Sequence, residues 1–414
     1  MRRLIRYELS KLCFRRAVLL MVLVFSILNL LKIQNVYQAY SYLTNGSGPQ
    51  SWNAVYWQLY PQFSGTMTTD KIDALMELYR PIEEATADLT ASTALDNPDT
   101  MTGNLYSDRN LLDRYYVRPM KYFYNYESMA EQIAEKSREN SLQFQKAGNG
   151  FEASKNAAIY NQFAGREISV FGYTEMYNYL VNYDFSTVLI ILLCLYAVTT
   201  VFVKEKETQM DLLLLTSPRG GIQTCSAKMI AVSAFSSGIV LWFSVLDFIG
   251  FCLAFHTAEG GNLPLYAISN FATSPLSITL LQYVLLSAAV KALGMWSLCM
   301  GMLALSMKWK TALFPFAINL SMLLALIFQG AACQFYSNVW EKIWNPYVLL
   351  VNRILFTKTE FINCFGYPIL GYQAAIFISV LVGILFTAII FRCYARNQHD
   401  FTGGYSHEKY PLRT

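Results

Sequence analysis

Six stretches of this chain, at 17–36, 185–203, 229–255, 277–307, 312–332 and 369–391, are long and apolar. A bilayer core of about 30 Å is crossed by roughly 20 apolar residues in a helix, so each stretch has the length of a transmembrane helix. The sequence therefore specifies an all-α integral membrane protein with about six transmembrane helices. Composition agrees, because 54% of the residues are hydrophobic and only 14% are charged, whereas soluble domains carry roughly a quarter charged residues. Lys32 interrupts the first stretch and has to snorkel to a surface, and Lys291 splits the fourth. No small-residue cleavage site follows the first stretch, which reads as an anchor and not as a removed signal.

The basic residues border the apolar runs and are not interleaved with aromatics in one patch, which argues against a nucleic-acid partner. The cysteines form no CxxC pair and no metal-type spacing, so no metal site is expected. Cys194, Cys252 and Cys299 lie inside apolar runs, where a thiol behaves as a small hydrophobe. Lysine and arginine bias in short connections sets orientation. Arg2, Arg3, Arg6, Lys11, Arg15 and Arg16 precede the first stretch. Lys204, Lys206, Arg219 and Lys228 follow the second, Lys308 and Lys310 follow the fourth, and Arg392 and Arg396 follow the sixth. The connection from His256 to Leu276 has no lysine or arginine, although 331–366 has three. Both termini are thus expected in the cytoplasm.

Residues 37–184 then form an extracellular domain between the first and second transmembrane helices. It is polar, rich in tyrosine and without cysteine. Ile72, Leu75, Tyr79, Ile82 and Leu89 recur at three- and four-residue steps, the stripe of an amphipathic helix. Thr69 is the expected N-cap of that helix, Pro81 is expected to kink or divide it, and Asn97-Pro98-Asp99 reads as a turn. A second helix is expected from Pro119 to Lys146. Alternating strand patterns are scarce, so the domain should be mostly helical. Tyr115, Tyr116, Tyr122, Tyr124 and Tyr126 either form a recognition surface or pack internally.

The connection 204–228 contains EKETQMDLLLLTSPRGGIQTCSAK, Glu205 to Lys228. A short helix capped by Thr208 is expected to carry Leu212 to Leu215 and to stop at Pro218 and Gly220-Gly221. Four consecutive leucines cannot all face water. They bury against the protein's own helices, the membrane surface or another protein.

This segment resembles the signature loop of the ABC-2-type permease family, in which charged residues precede a leucine-rich helix and a Ser/Thr-Pro stop. Here Gln209-Met210 replaces the small pair often found before the leucines. The opening RRLIRYELSKLCFRR resembles the family's N-terminal interfacial helix, carried by Tyr7, Glu8 and Lys11 at 1–16. WNPYVLLVNRILF and FGYP, Phe365 to Pro368, resemble its outer re-entrant helices, placed at 333–368. The resemblance spans most of the membrane half and leaves out the outer domain. It implies a permease subunit, more often an exporter, that forms a homodimer or heterodimer in membrane lipid. The six-span topology, two cytoplasmic termini and no ATPase domain together suggest a bacterial plasma membrane. The resemblance also implies that Glu205, Glu207, Asp211, Leu213, Leu214, Pro218 and Arg219 contact ABC ATPase subunits. No GxxxxGK[ST] loop occurs, so ATP and Mg would be held by the separate ATPase and no cofactor by this chain. A sensor that moves its outer domain without transporting a solute is the alternative. No HExxH or GxSxG pattern points to an enzyme.

Two charges interrupt the membrane segments 229–332, Asp247 in the third helix and Lys291 in the fourth. At about 1.5 Å per residue they lie roughly 28 Å and 25 Å from Lys228 and Lys308 respectively. Similar depth makes a salt bridge geometrically available. Separate snorkelling, or Lys291 facing an anionic substrate group, are the other readings. Cys333 and Cys364, at opposite ends of one outer connection, are a further candidate pair. The last helix, 369–391, is followed by a cytoplasmic tail, 392–414. Single-cysteine labelling in a cysteine-free background checks this topology: position 219 should be reached only from the cytoplasm, and positions 40–180, 257–275 and 335–365 only from outside.

Overall fold

The computed structural model describes residues 1–41, 43, 51–87, 99–210, 221–332 and 338–404. Among these residues six helices are long and apolar enough to cross a membrane. They are Arg16–Tyr40, Phe185–Glu207, Ile222–Phe255, Leu280–Ser306, Leu313–Ala332 and Gly371–Gly404. The chain is a multi-pass membrane protein. Each helix follows an apolar stretch of the sequence, but several run further than the apolar residues alone. The second continues through Lys204, Glu205 and Lys206 to Glu207, and the third starts at Ile222, so Lys228 lies within it. Thr208 is therefore not the N-cap of a following helix. It caps the C-terminus of the second span, its hydroxyl donating to the Lys204 carbonyl at 2.9 Å.

The second span is the axis of the bundle. In its apolar window 78% of residues are buried, against 17% in the first span. The first, third, fourth and fifth spans pack on it, and the fourth also meets the sixth. Leu19, Leu20, Leu23 and Leu31 of the first span stay exposed, the arrangement expected of a helix whose outer face meets lipid. Small residues permit the close approaches: a Cβ on Gly294 would lie 2.8 Å from Leu349, and one on Gly383 would run into the Trp296 ring. Buried Asn319 of the fifth span donates to Thr199 Oγ1 at 3.2 Å and to Ser306 Oγ at 3.3 Å, joining the second, fourth and fifth spans.

The domain between the first and second spans is mostly helical. Its longest helix, Arg118–Lys146, turns through Gly148 and packs antiparallel on Gly150–Phe163. Met120, Phe123, Tyr126, Ala130 and Ala134 form its buried stripe. A π-helical turn, Asp113–Val117, joins it to Leu105–Leu112. The helix Thr69–Ala85 is capped by Thr68, which accepts from Lys71 N at 3.4 Å, one residue earlier than the sequence indicates. Pro81 sits inside this helix without dividing it. Asn97 and Pro98 of the expected turn lie outside the described residues, as does Leu89.

This domain shares one hydrophobic core with the neighbouring span ends and with the 263–276 connection. The tyrosines do much of this packing. Tyr116 and Tyr126 are buried, Tyr126 stacks on Tyr266 at 4.7 Å, and the Tyr122 hydroxyl donates to the Tyr266 carbonyl at 2.7 Å. Tyr124 alone of the five is strongly exposed.

In the 338–370 region short helices occur as expected, and only the FGYP end departs. Three short helices, Val339–Trp344, Tyr347–Leu350 and Arg353–Phe356, precede an antiparallel hairpin of Phe361–Cys364 with Tyr367–Leu370. Phe365 and Gly366 both adopt positive φ, so FGYP forms the hairpin turn and the start of its second strand, not a helix. Cys333 lies outside the described residues.

Arg166 fastens the domain to the 263–276 connection. It is buried, donates to the Ser274 carbonyl and Ser277 Oγ at 2.9 Å each, and lies over the Phe163 and Tyr266 rings. Arg166→Met keeps most of the volume but strands a buried carbonyl, a loss of about 1–3 kcal/mol. Thermal unfolding of the purified protein should show a lower midpoint, with the inter-span domain becoming the first site of limited proteolysis.

Candidate functional site

The amino-terminal helix, Arg2–Cys13, is amphipathic. Arg2, Arg3 and Arg6 are exposed while Glu8 and Leu12 are buried, packed against the start of the third span. Here four charges converge from three separate elements. Lys228 Nζ of the third span bonds Glu8 Oε2 at 3.2 Å and also Glu205 Oε1 of the second span. Lys11 Nζ bonds the same Glu205 oxygen at 2.9 Å and lies 3.9 Å from Glu8. The Lys228 side chain has no exposed surface, and those of Glu8 and Glu205 have 7% and 10%. Two carboxylates and two ammoniums sum to zero. That balance is what allows burial, because an unpaired ion here would carry a desolvation penalty of several kcal/mol.

The residues after Glu205 extend the site. Lys206 Nζ donates to the Met307 carbonyl just beyond the fourth span, and Glu207 Oε1 accepts from Ala312 N, just before the fifth, at 2.9 Å. Successive residues of a helix point about 100° apart, since one turn takes roughly 3.6 residues. Glu205 thus meets the amino-terminal helix and the third span while Lys206 and Glu207 both reach the fourth-to-fifth connection, and the end of the second span holds these three elements together. Gln209 then takes a positive φ of 55°, turning the chain out of the helix immediately before the leucine-rich segment.

Glu8, Lys11 and Glu205, read from two different sequence segments, thus belong to one cluster. Tyr7 is exposed and outside it. Glu207 belongs to the same helix end. Asp211, Leu213, Leu214, Pro218 and Arg219 lie outside the described residues. Lys228 was legible only as a mark of the membrane boundary. The signal for more was its position six residues inside the third span, where a lysine needs a partner.

A second polar site lies at the opposite end of the bundle. Asp247 is buried and accepts from Asn29 Nδ2 and Ser186 Oγ at 2.6 Å each, while the Tyr183 hydroxyl donates to Asn29 Oδ1 at 2.9 Å. The expected Asp247–Lys291 salt bridge is not formed. The carboxylate is satisfied by neutral donors from the first span and the start of the second. Lys291 lines a cavity of about 40 Å³ together with Asp247, Asn352 and the ion-paired Asp184 and Arg353. At roughly 10–15 Å³ for each water, that volume holds a few waters. Both side chains border one cavity, but equal depth left their separation open, and the Asp247 carboxylate is drawn to Asn29 and Ser186 instead.

The chain matches no protein-family model and no curated protein. Its function is read from these side chains.

Lys228→Met should leave Glu8 and Glu205 buried without full compensation and cost about 3–5 kcal/mol. Adding Glu205→Gln should recover part of that loss. A double-mutant cycle of thermal stability measures the interaction, and a non-additive result is expected.

Proposed function

We propose that this chain is the membrane subunit of an ATP-driven transporter, energised by a separate ATPase of the ABC type. The observation that carries this reading is the cluster of Glu8, Lys11, Glu205 and Lys228, two of whose members, Glu205 and Lys228, flank the leucine-rich segment in the sequence. A force applied to Leu213 and Leu214 would reach the second span within a few residues. From Glu205, Lys206 and Glu207 it would pass to the amino-terminal helix and to the third, fourth and fifth spans.

In this reading the charged cluster and both termini are cytoplasmic, and the inter-span domain is extracellular. The resemblance to ABC-2-type permeases implies a dimer of membrane subunits and export, and a bacterial plasma membrane is the proposed location. The shared core between the domain and the outer span ends favours a second reading as well, in which ATP hydrolysis moves the domain and no solute crosses. Solute transport by reconstituted vesicles, measured with and without ATP, separates the two.

Affinity purification of the full chain from its own cell should bring down a P-loop ATPase. Leu213→Asp with Leu214→Asp should abolish that association while the thermal transition of the membrane subunit stays in place, since burying one leucine contributes roughly 1.5–3 kcal/mol to a contact. Purification without any P-loop ATPase, or one whose association survives both substitutions, contradicts the proposal.

A further inference from the structure

The inter-span domain holds a second, much larger cavity that the transport reading does not use. It has a volume of about 480 Å³ and lies among the helix Glu175–Val181, the start of Arg118–Lys146 and the 267–270 turn. Ligand pockets commonly measure roughly 300–1,000 Å³. Its wall is unusually aromatic, with Tyr56, Tyr115, Tyr122, Phe123, Tyr173 and Tyr179 contributing.

The rings are held from behind. Glu175 accepts hydrogen bonds from the Tyr115 and Tyr173 hydroxyls at 3.1 Å each, and Tyr122 is tied to the Tyr266 carbonyl. Burial, and after it the Glu175 charge, raise the Tyr115 phenol far above its ordinary pKa, so it keeps its proton and remains a donor. With these hydroxyls engaged, the rings offer the cavity mainly fixed apolar faces and edges.

Arg114, Arg118 and Glu175 line the cavity, and their charges are matched once Asp113 behind Arg118 is counted. Arg114 lies close enough to Glu175 to act on its charge, and Arg118 is bound by Asp113 at 2.6 Å. A charged ligand would have to compete with these partners. The neutral groups at the wall include the Asn178 and Asn270 amides and the Thr174 and Ser269 hydroxyls, suited to donate to and accept from ligand hydroxyls.

We propose that this cavity binds a neutral saccharide, a ligand with C–H faces for the tyrosine rings and hydroxyls for the amides. An aromatic face attracts the partial positive charge of a C–H edge, and a planar amide bonds adjacent hydroxyls. The site rests on the cavity alone and holds whether or not the chain transports a solute.

The test is calorimetric titration of the full chain in nanodiscs with a panel of neutral hexose and N-acetylhexosamine tetramers. Tetra-alanine and inorganic phosphate serve as peptide and anion controls. At least one tetramer should bind at or below millimolar concentration. Tyr179→Ala should weaken it by about tenfold, the loss of one ring contact. If Tyr179→Ala lowers the thermal midpoint, Ser269→Trp, at the exposed rim, should block binding without unfolding the domain. Failure of every tetramer to bind overturns the proposal. Tighter binding of tetra-alanine or phosphate, or tetramer binding that survives both Tyr179→Ala and Ser269→Trp, overturns it as well.

Discussion

The Lys228 ammonium, buried between Glu8 and Glu205, is the constraint on which one end of this molecule depends. A lysine with no exposed side-chain surface is tolerable only where carboxylates surround it. That requirement places the amino-terminal helix against the third span and fixes the rotation of the second span about its axis. Turning the second span by one residue would swing Glu205 about 100° away and would misdirect Lys206 and Glu207 in the same step. The cluster therefore sets register as well as stability. Lys11 completes the charge balance and accounts for the buried, paired state of both glutamates.

The other end of the bundle is organised differently. There the inter-span domain, the 263–276 connection and the tips of the spans share one apolar core, with Arg166 and the tyrosine hydroxyls closing the polar gaps. Neutral donors around Asp247 join the first, second and third spans just beneath that core. A shift of the second span at its charged end would thus reach both the Asp247 network and the domain through packed side chains. In the proposed transporter this gives one route from the leucine-rich segment to the far side. The sensor reading uses the same route.

Much of the fold was legible because hydrophobic length is a property of single segments. The spans, the long helix beginning near Pro119 and the helical character of the inter-span domain all follow from local pattern. What was not legible depends on facing. The partners of Asp247 and Lys228 are set by rotation of helices about their axes, which neither depth nor composition encodes. The hairpin at 361–370 was missed because a local two-strand pair needs only a turn, and Phe365-Gly366 supplies it with positive φ values. Thr208 illustrates a third cause: a good N-cap residue also stands at helix C-termini, and the charged run before it continued the helix. The cluster itself was half visible, in that Glu8, Lys11 and Glu205 each drew attention without any sign that they meet.

Hydrogen–deuterium exchange on the full chain in nanodiscs, comparing the native protein with Glu205→Gln, tests the central claim most directly. If Glu205 ties the helix ends together, amides of 2–13, 222–228 and 307–313 should all exchange faster in the variant. Protection around 118–146 should remain. Faster exchange confined to the residues next to position 205, with the amino-terminal helix still protected, would contradict the account.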